Sequence, residues 1–150
     1  MALPAVRERL WGFGRAVSAE SLVARPAAVD GIAAVLADAR ARGLTVGPRG
    51  AGQSYGDAAL NADAVSLDLT ALDRILAWDP ASGVARVEPG VTIGRLWQAT
   101  IADGWWPPVV PGTMRTTIGG AVAMNIHGKN NWTLGPIGDH VRALDLSKIH

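Results

Sequence analysis

The sequence predicts an α+β fold that combines a small α/β layer with a mixed sheet. Apolar residues at helical spacing from Val29 to Ala39 predict an amphipathic helix. Short strand-like runs precede and follow a glycine-rich loop at residues 49–61, and two more enclose a turn near residue 80. Helix and strands in this order are typical of a parallel or mixed layer.

The first predicted elements lie before the glycine-rich loop. The segment Trp11-Gly12-Phe13-Gly14-Arg15 places two large aromatics between glycines, which indicates a packed lead-in without regular structure. We therefore expect residues 1–18 to be a lead-in and residues 19–150 to be the domain itself. A helix is predicted over residues 27–42, because the apolar positions repeat at helical spacing and Gly43 follows as its terminating residue.

Strands are predicted on both sides of the loop and again further along the chain. Residues 44–46 and 65–69 form short apolar runs, so the loop joins strand to strand. Residues 74–78 and 84–88 predict a hairpin, since the five residues between them include Asp, Pro and Gly, which favour turns.

The second half of the chain carries further signals. A helix over residues 91–100 is predicted to be capped by Thr92, with Gly104 closing the unit. Residues 105–111 contain three prolines and are predicted to be irregular.

The glycine-rich loop reads Arg-Gly-Ala-Gly-Gln-Ser-Tyr-Gly-Asp from residue 49 to residue 57. Its small residues allow consecutive backbone N–H groups to face one side and hold a phosphate or diphosphate. A P-loop is excluded because no lysine precedes Lys129, and the spacing and the following strand do not fit a Rossmann turn. An ordinary surface loop is the alternative interpretation.

A second glycine-rich stretch covers residues 112–130. Thr116 and Thr117 can cap a short helix of small residues, whose end is expected to present free N–H groups to an anion or a flat ligand. His127 and Lys129 follow as polar, chargeable groups. Tight helix packing and a structural histidine are the alternatives.

Composition excludes several classes of protein. The chain has 150 residues, a formal net charge of +1 with scattered basic residues, and no cysteine. These features argue against a nucleic-acid partner, a disulfide, a thiolate metal site and a cysteine nucleophile. No apolar run approaches the ~20 residues of a membrane span, and we expect a cytoplasmic protein.

Three segments together resemble a known family: residues 49–57, residues 111–121 and the Ile-His-Gly-Lys-Asn sequence at 126–130. They are similar to the PCMH-type FAD-binding domain of the vanillyl-alcohol oxidase and p-cresol methylhydroxylase superfamily. Within it they most resemble the decaprenylphosphoryl-β-D-ribose oxidase-like sugar and alditol oxidases. Trp11-Gly12 and Gly138-Asp139-His140-Val141 fit the same pattern, so the resemblance runs from residue 11 to residue 146.

The resemblance implies an FAD site. The first loop would cradle the FAD diphosphate through its backbone, and the second stretch would line the cofactor's other side and run beside the flavin ring. His127 and Lys129 would face the substrate and are the candidate catalytic residues. Gln53 stands where several relatives carry a flavin-linking histidine, so the FAD is expected to be non-covalent. The implied cofactor-binding residues are Pro48, Arg49, Gly50, Ala51, Gly52, Gln53, Ser54, Tyr55, Gly56, Asp57, Ala58, Gly112, Thr113, Thr117, Ile118, Gly119, Gly120, Met124, Asn125, Ile126 and His127.

The implied chemistry is oxidation of a CH–OH group of a sugar or alcohol, free or lipid-linked, with hydride passing to the flavin. A lactone or hydroxy-acid oxidase of the same superfamily is an alternative. The resemblance also implies a strand at residues 141–146, and relatives continue beyond it, so we expect the chain to be an incomplete flavin domain with weak or absent turnover alone. A non-catalytic FAD-binding product, or a subunit completed by a separate polypeptide, is the third alternative.

Overall fold

The structure is a computed structural model that describes residues 5–146. Within it the chain divides into two compact units, the first built from residues up to Leu72 and the second from Asp73–Asp145. No helix among the described residues is long and apolar enough to cross a bilayer.

The first unit is organised on a four-stranded sheet. Its strands are β1 (Ala5–Trp11), β2 (Ser18–Ala24), β3 (Val46–Arg49) and β4 (Val65–Asp68), in the order β1-β2-β4-β3. β1 is antiparallel to β2, whereas β4 pairs in parallel with both β2 and β3. The predicted mixed sheet is confirmed.

The lead-in prediction was wrong in one respect, because residues before 19 contain regular structure. β1 pairs with β2 from Ala5 opposite Ala24 to Trp11 opposite Ser18, so the aromatic-glycine segment begins at the end of a strand and continues into a hairpin turn. β1 is an edge strand that is mostly exposed, so charged residues replace the apolar alternation that would reveal a half-buried strand. Arg9 contacts Glu20 across the pair at 2.8 Å.

Helix α1 (Val29–Ala41) confirms the predicted helix and packs its apolar face on the sheet. Val35 and Ala39 lie in a buried cluster with Val65 and Leu67 of β4. Gly43 follows with φ of +66°, and its N–H donates to the Arg40 carbonyl at 3.1 Å. The left-handed glycine therefore ends the helix as the sequence predicted.

β3 begins and ends later than predicted, at Val46–Arg49 rather than residues 44–46. Leu44 instead packs against the buried cluster ahead of the strand. Because β3 lies at the sheet edge, Pro48 can occupy it without breaking a ladder on both sides. The following segment, residues 50–64, carries the chain from β3 to its parallel neighbour β4, which confirms the predicted strand-to-strand connection.

The second unit begins with the predicted hairpin. β5 (Ile75–Asp79) and β6 (Val84–Val87) are antiparallel and form their own two-stranded sheet. Helix α2 (Ile93–Thr100) follows, and the Thr92 hydroxyl accepts a hydrogen bond from the Arg95 N–H at 3.1 Å. The predicted N-cap is confirmed.

Residues 105–111 are irregular, as the three prolines predicted. Two short helices follow. They are α3 (Ile118–Ala123) and α4 (Asn131–Leu134), and a single 3-10 turn covers Ile137–His140. Val109, Ala121 and Ile137 form the buried cluster of this region, with Ile126 packed against it. α4 and the 3-10 turn were not predicted from the sequence.

The strand predicted at residues 141–146 is wrong, since this part of the described chain has no regular secondary structure. A strand requires a neighbouring backbone to pair its N–H and C=O groups, and residues 141–146 have none among the described residues. Asp145 instead makes an exposed ion pair with Arg86 at 2.8 Å.

Candidate functional site

The glycine-rich loop of the first unit offers a run of unoccupied backbone donors. Within the described chain, no N–H from Gly50 to Asp57 donates a hydrogen bond to another protein group. Consecutive free N–H groups form the kind of concavity that binds a phosphate or diphosphate. The loop therefore has the donors that the sequence predicted.

The shape of the loop depends on a left-handed residue at Gly52, whose φ is +66°. A Cβ built at this position would lie 2.4 Å from the Arg49 Nη2 atom. Glycine is thus required for its backbone conformation and also for the close approach of the guanidinium.

Arg49 binds the loop's own backbone with its guanidinium. Its Nη1 donates to the Ala59 carbonyl at 2.7 Å, and its Nη2 donates to the Trp11 carbonyl at 2.9 Å. Burial lowers the pKa of the guanidinium, and the Asp68 carboxylate on the neighbouring strand opposes this effect. Arg49 was predicted as a cofactor-binding residue, and these contacts show it bracing the loop.

Gln53 carries a buried acceptor without a partner. Its Nε2 donates to the Ala51 carbonyl at 3.1 Å, which fixes the orientation of the amide and leaves Oε1 buried with no hydrogen bond among the described residues. A buried unpaired acceptor is costly, so we expect a water or a ligand group to donate to it. The ribityl or ribose hydroxyls of a dinucleotide cofactor are donors of this kind, and the loop thus fits such a group.

The other residues of the first loop vary in exposure. Ser54 is half-buried and its carbonyl accepts a hydrogen bond from the Phe13 N–H at 2.9 Å, while Tyr55 is 75% exposed and meets the Phe13 ring edge-on at 5.2 Å between centroids. Pro48, Asp57 and Ala58 are exposed. The contribution of Phe13 was missed from the sequence, although the glycines on either side of it marked the segment as unusual.

In the second unit, the predicted cap of α3 is present but the predicted free donors are not. Thr117 caps the helix, accepting from the Gly120 N–H at 3.4 Å. The Ile118 N–H donates to the Val91 carbonyl at 2.7 Å and the Gly119 N–H to the Pro89 carbonyl at 2.9 Å. The prediction of an anion-binding helix end is therefore wrong, because neighbouring backbone carbonyls already occupy these donors.

Gly119 shows why this helix is built from small residues. A Cβ there would lie 2.8 Å from the Pro89 Cβ atom, so the alternative of tight helix packing holds at this position. A Cβ added at Gly112 would meet no atom within 4 Å, and the Thr113 hydroxyl accepts from the Arg115 N–H at 3.1 Å. The roles of Gly112, Thr113 and residues 117–120 toward a cofactor stay a prediction.

The segment from Met124 to His127 turns sharply and is held by the 3-10 turn that follows it. Asn125 has a left-handed φ of +43°, and its Oδ1 accepts from the Gly138 N–H at 3.0 Å. The Ile137 N–H donates to the Ile126 carbonyl at 2.8 Å. Met124 and His127 are left exposed, where they can contact a ligand.

Lys129 lies at an open groove of about 260 Å³. The groove's other lining residues are mostly apolar: Trp106, Pro108, Val110, Pro111 and Asn130. The Asn130 side chain donates to the Pro108 carbonyl at 3.0 Å and so fixes one wall. The lysine is thus a single cationic group beside an apolar surface.

Comparison with known proteins identifies the family. Residues 21–148 match the sequence profile of the FAD binding domain. The chain belongs to this FAD-binding domain family. FAD is accordingly the cofactor of this domain, in agreement with the free donors of the loop and the orphan acceptor of Gln53.

Curated relatives of the FAD-binding domain are oxidoreductases. The chain is 38% identical over 144 residues to decaprenylphosphoryl-beta-D-ribose oxidase of Mycolicibacterium smegmatis, covering 95% of this chain and 31% of the relative. It is 32% identical over 114 residues to D-lactate dehydrogenase of Anaerostipes hadrus, covering 75% of this chain and 24% of that relative. The chain therefore spans about a third or less of the relatives it matches.

A solved structure shows the same fold for the domain. An alkyldihydroxyacetonephosphate synthase superposes with a TM-score of 0.68 at 19% identity, covering 80% of this chain and 25% of that one. At this identity the likeness concerns the fold alone, and it confirms the predicted PCMH-type α+β architecture.

Proposed function

We propose that this chain is the FAD-binding part of an oxidoreductase that oxidises a CH–OH group of a sugar or alcohol. The observation that carries the proposal is the loop after β3, whose N–H groups from Gly50 to Asp57 are free within the described chain while a buried acceptor of Gln53 lacks a donor. A diphosphate satisfies the first feature and a cofactor hydroxyl the second.

Bound FAD supplies the hydride acceptor for such an oxidation. The chain's own residues would bind and orient FAD: the loop would hold the diphosphate by its backbone, and the residues that the family resemblance implies for the rest of the cofactor are Gly112, Thr113, Thr117 to Gly120 and Met124 to His127. His127 and Lys129 are the candidates for contacting substrate and taking the hydroxyl proton. Both are exposed, and Lys129 stands at the apolar groove.

Binding through the diphosphate can be tested directly. We expect FAD to bind the purified chain with quenching of flavin fluorescence, and ADP to displace it far better than adenosine, which lacks the phosphates. A chain that takes up no FAD, or one from which adenosine and ADP displace FAD equally, contradicts the proposal.

The substrate class is a separate question. We propose a sugar or alcohol, including a lipid-linked sugar, because the relative covering most of this chain is a ribose oxidase. A hydroxy acid is the second candidate, since a D-lactate dehydrogenase also matches. Anaerobic mixing of the FAD-loaded protein with alditols, pentoses or D-lactate distinguishes the two, because only a true substrate bleaches the oxidised flavin's visible absorbance.

Non-covalent attachment of FAD follows from Gln53, whose amide offers no nucleophile for a flavin link. Denaturation and filtration should release all of the flavin, and flavin that stays with the polypeptide would contradict this point. Three further proposals rest on the sequence: a cytoplasmic location, a boundary between lead-in and domain at residue 18, and a separate polypeptide as partner.

A further inference from the structure

The tip of the first hairpin, residues Trp11, Gly12 and Phe13, contacts the glycine-rich loop at several points. We propose that this tip holds the loop in its FAD-binding shape, which makes Gly12 and Arg49 positioning residues for the cofactor. The inference rests on the proposed function. It assigns a role to a segment that precedes residues 21–148, the part of the chain that matches the FAD-binding family.

Arg49 makes the first connection, from inside the loop. Its two terminal nitrogens donate to different carbonyls, Ala59 at the far end of the loop and Trp11 at the hairpin tip. Hydrogen bonds from a charged donor are stronger than neutral ones. One side chain thereby ties the start of the loop, the end of the loop and the hairpin together, and a lysine with a single ammonium group cannot reproduce the fork.

The second connection is made by backbone alone. The Phe13 N–H donates to the Ser54 carbonyl at 2.9 Å. Gly12 is buried, and a Cβ on it would lie 2.2 Å from the Gly56 carbonyl oxygen. The loop backbone therefore lies directly on the hairpin at two residues, and any side chain at position 12 pushes it away.

These contacts determine where the loop's donors point. In a trans peptide the carbonyl and the following N–H point in opposite directions. Because the carbonyls of Ser54 and Gly56 face the hairpin, the N–H groups of Tyr55 and Asp57 face away from it. The Gln53 side chain acts similarly, since it holds the Ala51 carbonyl at 3.1 Å and so aims the Gly52 N–H.

The tip is poorly suited to a purely stabilising role. Phe13 is 46% exposed, Trp11 39% and Tyr55 75%, so these aromatics bury only part of their apolar surface at this contact. The contact instead consists of one hydrogen bond from the Phe13 N–H to the Ser54 carbonyl, one from the Arg49 guanidinium to the Trp11 carbonyl, the edge-on Phe13–Tyr55 ring contact and the close approach of Gly12 to Gly56. Such an arrangement controls the geometry of the loop more than it adds to the core.

The hairpin offers a matched pair of variants for the test. Gly12→Ala introduces a Cβ that collides with the Gly56 carbonyl oxygen, whereas Gly14→Ala places its Cβ 3.9 Å from the Tyr55 ring, an ordinary contact. We expect Gly12→Ala to weaken FAD binding by about tenfold or more, measured well below the Tm of its apoprotein, which the collision with backbone atoms should also lower. Gly14→Ala should match wild type in both measurements.

Arg49→Lys keeps the positive charge but loses the fork of donors. We expect it to bind FAD more weakly than wild type, because one ammonium group cannot reach both the Ala59 and the Trp11 carbonyl. Hydrogen exchange of the apoprotein gives an additional readout that needs no cofactor. Loop peptides covering residues 50–57 should exchange faster in Gly12→Ala than in Gly14→Ala, and FAD should slow exchange at the tip of the wild-type chain.

Two results overturn the inference while leaving the proposed function intact. One is a Gly12→Ala protein that binds FAD as tightly as wild type, and the other is FAD binding to wild type without added protection at residues 11–13. A wild-type chain that binds no FAD overturns the proposed function, and the inference with it. If Gly12→Ala does not fold, the exchange measurement on wild type still decides.

Discussion

Gly52 combines two constraints at a single residue. It has a φ of +66°, and its missing Cβ leaves room for the Arg49 guanidinium, 2.4 Å from the position a Cβ would take. Gly43 has the same φ of +66° but nothing within 4 Å of its Cβ position. A substitution at Gly43 therefore measures backbone strain alone, whereas one at Gly52 measures the same strain together with the disturbance of the loop.

We predict that Gly52→Val abolishes FAD retention and that Gly43→Val retains it. Both substitutions should lose about 1–2 kcal/mol of folding stability, which is what a left-handed conformation costs a residue with a Cβ, and Gly52→Val should lose more. Only Gly52→Val also displaces Arg49 from its carbonyl partners. Thermal melts and flavin fluorescence titrations of both proteins measure the two effects, and normal FAD binding by Gly52→Val would show that the diphosphate site lies elsewhere.

Gln53 gives a second prediction at the same scale. Its buried Oε1 has no partner among the described residues, so Gln53→Leu removes a desolvated acceptor from the apoprotein. We expect apoprotein stability to be unchanged or raised, while FAD affinity falls about two- to tenfold, the value of one hydrogen bond. The opposite pattern, lower apoprotein stability with full FAD affinity, would contradict the role assigned to this acceptor.

Among the elements, the β5–β6 hairpin is closed by a contact between Arg74, which precedes β5, and Glu88, which follows β6. The carboxylate accepts from the Arg74 backbone N–H at 2.8 Å and from the Arg74 guanidinium at 2.6 Å. The Arg74 side chain, followed by its backbone N–H, lowers the pKa of Glu88 below its usual 4.5. Glu88 is only 5% exposed, so its charge depends on this partner.

The sign of the resulting pH dependence follows from the direction of the shift. A carboxylate with a lowered pKa in the folded state stabilises the protein above its unfolded-state pKa, and loses this effect as the pH falls through the folded-state pKa. We predict that wild-type Tm declines as the pH falls below about 4.5, and that Glu88→Gln is less stable at neutral pH but declines less. Glu8 and Asp79 also have lowered pKa values, so part of the decline should remain. Equal pH profiles for the two proteins would contradict the assignment.

For the whole molecule, FAD binding and folding stability are linked. A ligand that binds only the folded protein stabilises it by about 2.7 kcal/mol at ~100 times its Kd. We expect Tm to rise steadily with FAD concentration and to rise with ADP at higher concentrations, while adenosine has little effect. Calorimetric or fluorescence melts across a concentration series measure this, and a Tm independent of FAD would contradict the proposed cofactor role.

Much of the architecture could be predicted locally. Helix α1 has its apolar spacing and its terminal Gly43, α2 has its Thr92 cap, and the β5–β6 hairpin has turn residues at the right place. Each of these signals acts over a few residues, so the sequence contains it directly. The glycine loop was likewise recognisable, although its composition alone left an ordinary surface loop as the alternative and the family resemblance was needed to favour a diphosphate cradle.

The predictions that failed concern features that depend on distant partners. β1 was missed because an exposed edge strand shows no apolar alternation, and its strand character comes from pairing with β2. The family resemblance implied a strand at residues 141–146, yet no described backbone forms a ladder with them. The end of α3 looked free in the sequence, but the Pro89 and Val91 carbonyls take its donors.

The sequence by itself determined the local elements, the family and the glycine-rich loop proposed to hold the cofactor, because propensity, capping and glycine spacing are properties of neighbouring residues. The tertiary structure alone decided that Arg49 braces the loop, that Gln53 has an unpaired acceptor, and that Gly12 lies against Gly56. Those facts depend on which backbone groups meet across the fold, and hydrogen-bond partners distant in the chain leave no local pattern in the sequence.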